Sequence, residues 1–247
     1  MAAENTIDAN VLARWVGLSF LGLIVLGILT TVFVADGIDI NLSADPAATA
    51  ENMLEAETRL RAKAYLSGLG FLLNVFFGLG LFFLLKRHGT VLAALCLVAT
   101  VTAALLSLLG AVYGMNAAEI ASRPAYQALA TEDQRLLLAA LQATSDYTAF
   151  HLGIVLSSLA NAGFFYLFLK SNLIPRLISG WGIFASLFVA STVVLRDFIP
   201  ALGSTSITMA FMLSNLIAMV SLGVYLSVWG VRETLTSPST STSSLTT

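Results

Sequence analysis

Tyr147, His151 and Ser158 stand four and seven positions apart, and Asp146 precedes the first of them. On a helix that spacing puts the three on one face. A phenol, an imidazole and a hydroxyl gathered there, with a carboxylate just above, form a group that grips a ligand or responds to a proton. The plainer reading of the same residues is an interfacial histidine in an aromatic belt. Two asparagines make a second constellation. Asn74 sits in the four-residue ladder Gly70–Asn74–Gly78, and Asn161 in Gly153–Ser157–Asn161. Small residues at this spacing let helix backbones approach, and an asparagine among them can hydrogen-bond across the contact. The ligand-binding reading names Asn74, His151 and Asn161 as lining one cavity; the other reading makes the two asparagines glue between helices. No residue is assigned a catalytic role. The two histidines, His88 and His151, are expected at opposite faces of the membrane, and the single cysteine, Cys96, lies in an apolar run. That arrangement argues against haem and against a zinc site, and no metal or cofactor is expected.

The elements that must carry these residues follow from composition. Of 247 residues, 57% are hydrophobic and 11% are charged, with a net charge of −2. An ordinary soluble domain is about 25% charged. So apolar a chain has lipid as its solvent, and its charge balance argues against nucleic acid as a partner. Six runs are long enough to cross the hydrocarbon core: Leu12–Val34, Tyr65–Leu85, Val91–Tyr113, Tyr147–Leu169, Leu177–Leu195 and Ile207–Gly230. Backbone groups in lipid must be satisfied within the segment, which makes each run a helix. The first run exceeds a signal peptide's usual apolar core and reads as a retained span. The expected fold is all-α and polytopic. It comprises a short segment 1–11, a six-helix membrane domain 12–232, and a Ser/Thr-rich tail 233–247 that reads as disordered. No Asp, Glu, Lys or Arg falls well inside a span, which argues against a pump or a proton-coupled carrier.

Two polar segments interrupt the pattern. In SADPAATAENMLEAETRLRAKAY, Asp45 reads as an N-cap and Pro46 as the first helical residue. Helix signals then continue without a breaker to Leu85, predicting one helix that bends or lies along the surface before entering the membrane. Glu55 with Arg59, and Glu57 with Arg61, form acid-first pairs four apart. The stretch DPAATAEN, followed by an acid and Arg61, resembles the first loop of an uncharacterised prokaryotic membrane family, domain of unknown function 4386. KSNLIPRLISG, Lys170–Gly180, is similar to that family's connector after the fourth helix. The matched positions are Asp45, Thr49, Asn52, Glu57, Arg61, Ser171, Pro175, Arg176 and Gly180, and the resemblance runs from Leu12 to Val231. It implies six helices and no assigned chemistry. The family's second and last helices often carry an acid; here the second has Asn74 and the last has none, which weighs against ion coupling.

The second polar segment contains the capping string TEDQ from Thr131, then Leu136, Leu137, Ala140 and Leu141 as an apolar stripe. That stripe is expected to rest on the bilayer or on the helix from Pro46, so that two extracytoplasmic amphipathic segments cap the bundle. Lys86/Arg87 and Lys170/Arg176 lie in very short loops, where the positive-inside rule is strongest. They place both termini in the cytoplasm of a cell-membrane protein, although each side holds six cations. Arg196 and Asp197 read as an interfacial anchor. Two function classes fit: a bundle handling a small ligand or lipid, and a structural, assembly or sensing subunit without catalysis. An enzyme acting through His151, Asp146 and Tyr147 is a weaker third, because no nucleophile is placed. The lipid bilayer is the expected partner, with a second copy or another membrane protein beside it.

Overall fold

A computed structural model describes residues 8–39 and 46–232. Asp45 and the 233–247 tail therefore lie outside the described residues. Among the described residues eight α-helices follow one another: α1 Ala9–Thr30, α2 Pro46–Glu55, α3 Glu57–Leu85, α4 Thr90–Ser122, α5 Pro124–Leu129, α6 Glu132–Ser171, α7 Arg176–Leu195 and α8 Thr205–Trp229. Six of them, α1, α3, α4, α6, α7 and α8, are long and apolar enough to cross a membrane. The protein is an all-α, multi-pass membrane protein, as its composition requires.

The six long helices form a closed ring, α1–α3–α4–α6–α7–α8 and back to α1, each packed on its neighbours. Both ends of the described chain meet at one end of the ring. There the Val231 N–H donates to Asn10 Oδ1 at 3.0 Å, and the Arg232 N–H donates to the Leu173 carbonyl at 2.9 Å. The α6–α7 connector is fixed at the same end. Asn172 closes α6 in the left-handed region (φ 55°), and its side chain accepts from Arg176 Nε at 2.9 Å. Pro175 caps α7, its carbonyl accepting from the Ser179 N–H, while Ser171 and Ile174 are buried. The half of the ring nearest the termini is filled. Val16 and Phe20 from α1, Phe77 and Leu81 from α3, and Cys96 from α4 share one apolar cluster with α6, α7 and α8. Phe164, Phe165 and Phe168 of α6 lie at its heart, joined by Ala185 of α7 and Leu222 of α8.

Small residues act where the sequence placed them. Gly153 of α6 meets the backbone of Ala103 on α4, leaving 3.3 Å from the Ala103 carbonyl oxygen to where a Cβ would stand. In lipid, contacts this close between backbones supply the van der Waals attraction that hydrophobic exclusion cannot.

Away from the termini, two helices outgrow the membrane. α6 is one unbroken helix of 40 residues, about 60 Å long at roughly 1.5 Å per residue, and α4 has 33 residues. The second amphipathic segment is thus the upper part of α6, begun by the expected capping box: Gln134 N–H to Thr131 Oγ1, and Thr131 N–H to Gln134 Oε1. Its buried face differs from the expected stripe. Ala139 and Ala143 are buried, whereas Leu137 and Leu141 are exposed. The smaller alanines win because α2 lies across α6 and α4, and only a short side chain lets it approach.

The single helix expected from Pro46 to Leu85 is broken at Ala56, whose φ −112° and ψ 36° leave the helical region. No local breaker causes this; tertiary packing overrides propensity. The bend allows Met53 of α2 and Leu60 of α3 to enter one apolar cluster with Ile38, Ala117, Ala118 and Ala143. The expected Glu55–Arg59 pair does not form, because the bend falls between the two residues.

Candidate functional site

The small apolar cluster around Met53 and Leu60 is the base of a cap, and the charges around it are used in a definite order. α1 ends in a π-helical turn, Thr31–Ala35, followed by Gly37 at φ +73°. Such an end leaves carbonyls without intrahelical partners. Asn52 of α2 donates from Nδ2 to the Gly37 carbonyl at 2.9 Å. Arg59 donates to the Val34 carbonyl at 3.0 Å and also to the Asp36 carbonyl. The second half of α2 and the first turn of α3 thus tie down the end of α1. Thr49 and Ala50 of α2 are fully buried beneath them.

One turn further along, Arg61 bridges two helices. It pairs with Glu57 of its own helix at 3.0 Å, as the four-residue spacing predicts, and with Glu119 of α4 at 2.9 Å. Glu119 is shared with Arg123. Below this tier lies a tighter one. Lys63 Nζ stands 2.8 Å from Asp39 Oδ2 and 2.9 Å from Asp146 Oδ2, joining the loop after α1, α3 and α6 at a single ammonium. Each of these three side chains is less than one-fifth exposed. Gly110 of α4 makes room for the pair: a Cβ there would collide with the Asp146 carboxylate. Charges this deep persist only when paired and hydrogen-bonded.

The contacts described for the residues singled out for chemistry do not join Asn74, His151 and Asn161 to one another. Asn74 donates from Nδ2 back to the Gly70 carbonyl of its own helix at 3.2 Å, while Asn161, on α6, is half-buried. His151 Nδ1 lies 2.8 Å from the Tyr147 carbonyl, and the Tyr147 and His151 rings pack with centroids 3.8 Å apart. Arg196 donates to the Tyr147 hydroxyl at 3.2 Å, tying the end of α7 to α6. Asp146 belongs to Lys63 on another side of α6, so the constellation expected of Asp146, Tyr147 and His151 is split. His88 sits in the turn after α3 and His151 towards the opposite end of the ring. Two grooves open on the surface, one of about 330 Å³ beside Trp181 and Ile217 and one of about 310 Å³ beside Tyr113 and Thr148. Neither is lined by Asn74, His151 or Asn161.

Sequence reasoning found Asn52, Glu57 and Arg61 through the first-loop motif, and Pro175 and Arg176 through the connector. It missed Asp39, Arg59, Lys63, Gly110 and Glu119. One of these, Lys63, carried a signal together with Asp146. Lys63 and Asp146 stand 23 and 24 positions before Lys86 and Lys170, the cations near the far ends of their helices, and so lie at one depth. The cap and the connector are thus polar ties at opposite ends of the bundle.

No curated protein and no solved structure matches the chain. Residues 15–230 match the family described as Domain of unknown function (DUF4386), a match that takes in the cap, the ring of six helices and the connector. The chain is a multi-pass membrane protein belonging to the DUF4386 family.

Proposed function

We propose that this protein is a non-catalytic assembly or sensing subunit of the cell membrane, with both termini cytoplasmic and its working surface on the extracytoplasmic cap. The orientation rests on charge. Among the described residues, Arg14, Lys86, Arg87, Lys170, Arg176 and Arg232 stand at the termini end with one acid, Asp8. The other end also holds six cations, with ten acids from Asp36 to Asp197, so the weight falls on Lys86/Arg87 and Lys170/Arg176, which stand in the very short loops where the positive-inside rule is strongest.

One observation carries the reading. Leu129 is 84% exposed and Leu137 71% exposed on the tall part of the cap, with Leu141 one turn below. Leu137 lies ten residues, or about 15 Å, above Tyr147, where the span begins. On this reading the leucines stand above the lipid on a frame locked by ion pairs and make a contact surface. The ligand-handling reading has weaker support, since neither of the two grooves described above is lined by Asn74, His151 or Asn161.

Photo-crosslinking tests the proposal. With p-benzoylphenylalanine at Leu137, irradiated cells should yield one discrete species, at the mass of a dimer or of a complex with another membrane protein. The same probe at Leu72, exposed on α3 within the span, should yield none. Monomer alone at both positions would overturn the reading.

A further inference from the structure

The termini end of the bundle carries a second feature that the cap does not account for. A groove of about 330 Å³ runs between α7 and α8, lined by Leu177, Ile178 and Trp181 on one side and Ile217, Ala218 and Ser221 on the other. Its wall is rigid, because the Trp181 indole N–H donates to the Ser214 carbonyl across the groove at 3.2 Å. At roughly 30 Å³ per water-sized group, its volume suits a stretch of about ten methylenes. Its mouth opens at Leu177, which is 81% exposed and directly follows Arg176.

The cations at that mouth are used differently from those of the cap. Arg61, Lys63 and Arg123 all stand in ion pairs, whereas the described ion pairs include none of Lys170, Arg176 and Arg232. The three are exposed and held around one connector. Lys170 ends α6, Arg176 begins α7 against Asn172, and the Arg232 backbone is bonded to Leu173. Arg176 adjoins the groove through Leu177, and Lys170 and Arg232 are tied to the same connector, so exposed cations without a described ion pair beside an apolar groove match a molecule with an anionic head and a hydrocarbon tail.

We infer that this groove is a binding site for an anionic glycerophospholipid, with its phosphate on Arg176, Lys170 and Arg232 and an acyl chain between α7 and α8. The basic rim supplies selectivity over zwitterionic lipid, and the groove supplies registry. The inference is independent of the cap's role, since it concerns the opposite end of the molecule.

Native mass spectrometry of the full chain, released from nanodiscs of equimolar phosphatidylglycerol and phosphatidylcholine, tests it. Cationic contacts near a membrane surface each contribute about fivefold, so phosphatidylglycerol should be retained at least about fivefold over phosphatidylcholine. K170Q/R176Q/R232Q should remove that preference, and Ile217→Trp, which fills the groove while leaving the rim intact, should lower retention of both lipids. Arg176 is exposed, so Arg176→Gln alone serves if the triple variant fails to fold, and it should reduce the preference. Equal retention of the two lipids by the unaltered protein would overturn the site. So would a preference that survives loss of the cations, or retention indifferent to Ile217→Trp.

Discussion

Replacing Lys63 with methionine should destabilise this protein more than any other single change in the cap. The ammonium stands between the Asp39 and Asp146 carboxylates, 2.8 Å and 2.9 Å away, and it is 15% exposed. Methionine fills its space and takes the shared cation away from two part-buried acids. Removing one partner from a buried ion pair costs about 3–5 kcal/mol, because the remaining charge keeps its desolvation penalty. For a chain of this size, that is a fall of roughly 10 °C in unfolding midpoint. The control is the triple variant Lys63→Met with Asp39→Asn and Asp146→Asn, which removes the stranded charges and should recover most of the loss. Both are measured by thermal unfolding in one detergent. A Lys63→Met protein as stable as the original would mean that the cluster is solvated and the cap is not locked by it.

The second large effect should come from Gly182, in the closed half of the ring. A Cβ at this position of α7 would enter the ring of Phe165, which is itself almost wholly buried among Phe164, Phe168 and their neighbours. Two effects oppose each other. Gly→Ala in a helix interior gains up to about 1 kcal/mol of propensity. Overpacking a well-filled core costs typically about 1–3 kcal/mol. Alanine is therefore a narrow loss, while Gly182→Leu should lose about 3 kcal/mol and separate α7 from α6. The partner change settles the mechanism: Phe165→Ala should be destabilising alone, yet restore much of the stability of Gly182→Leu. A thermal-unfolding cycle measures the coupling. Simple additivity of the two changes would contradict direct contact.

The fold was legible in the sequence because the membrane imposes a simple rule. Runs of about 20 apolar residues between short polar breaks have no alternative to spanning helices. The ladder at Gly153 was legible for a related reason, since close helix contact in lipid needs small residues at four-residue spacing. The bend at Ala56 was hidden because Glu55, Ala56 and Glu57 are ordinary helix formers; only the shared pocket of Met53 and Leu60 creates it. The buried face of α6 was misjudged because leucine outranks alanine in any hydropathy count, whereas the approach of α2 selects Ala139 and Ala143. The ionic cluster was half visible. Glu57–Arg61 is a local pair, but Arg61–Glu119 and Lys63–Asp146 join residues 58 and 83 positions apart. Their meeting depends on which helices are neighbours in the ring.

The central claim is that the working part of this protein is its locked cap and that the bundle beneath it is closed. Substituted-cysteine labelling in membranes tests this most directly. In a Cys96→Ala background, a small charged thiol reagent is offered to Asn74→Cys, Asn161→Cys and Leu137→Cys. Leu137→Cys should label fully, and from one side of the membrane only. Asn74→Cys and Asn161→Cys should stay unlabelled from both sides. Rapid labelling at either asparagine position would reveal a water-filled path through the ring and contradict the account.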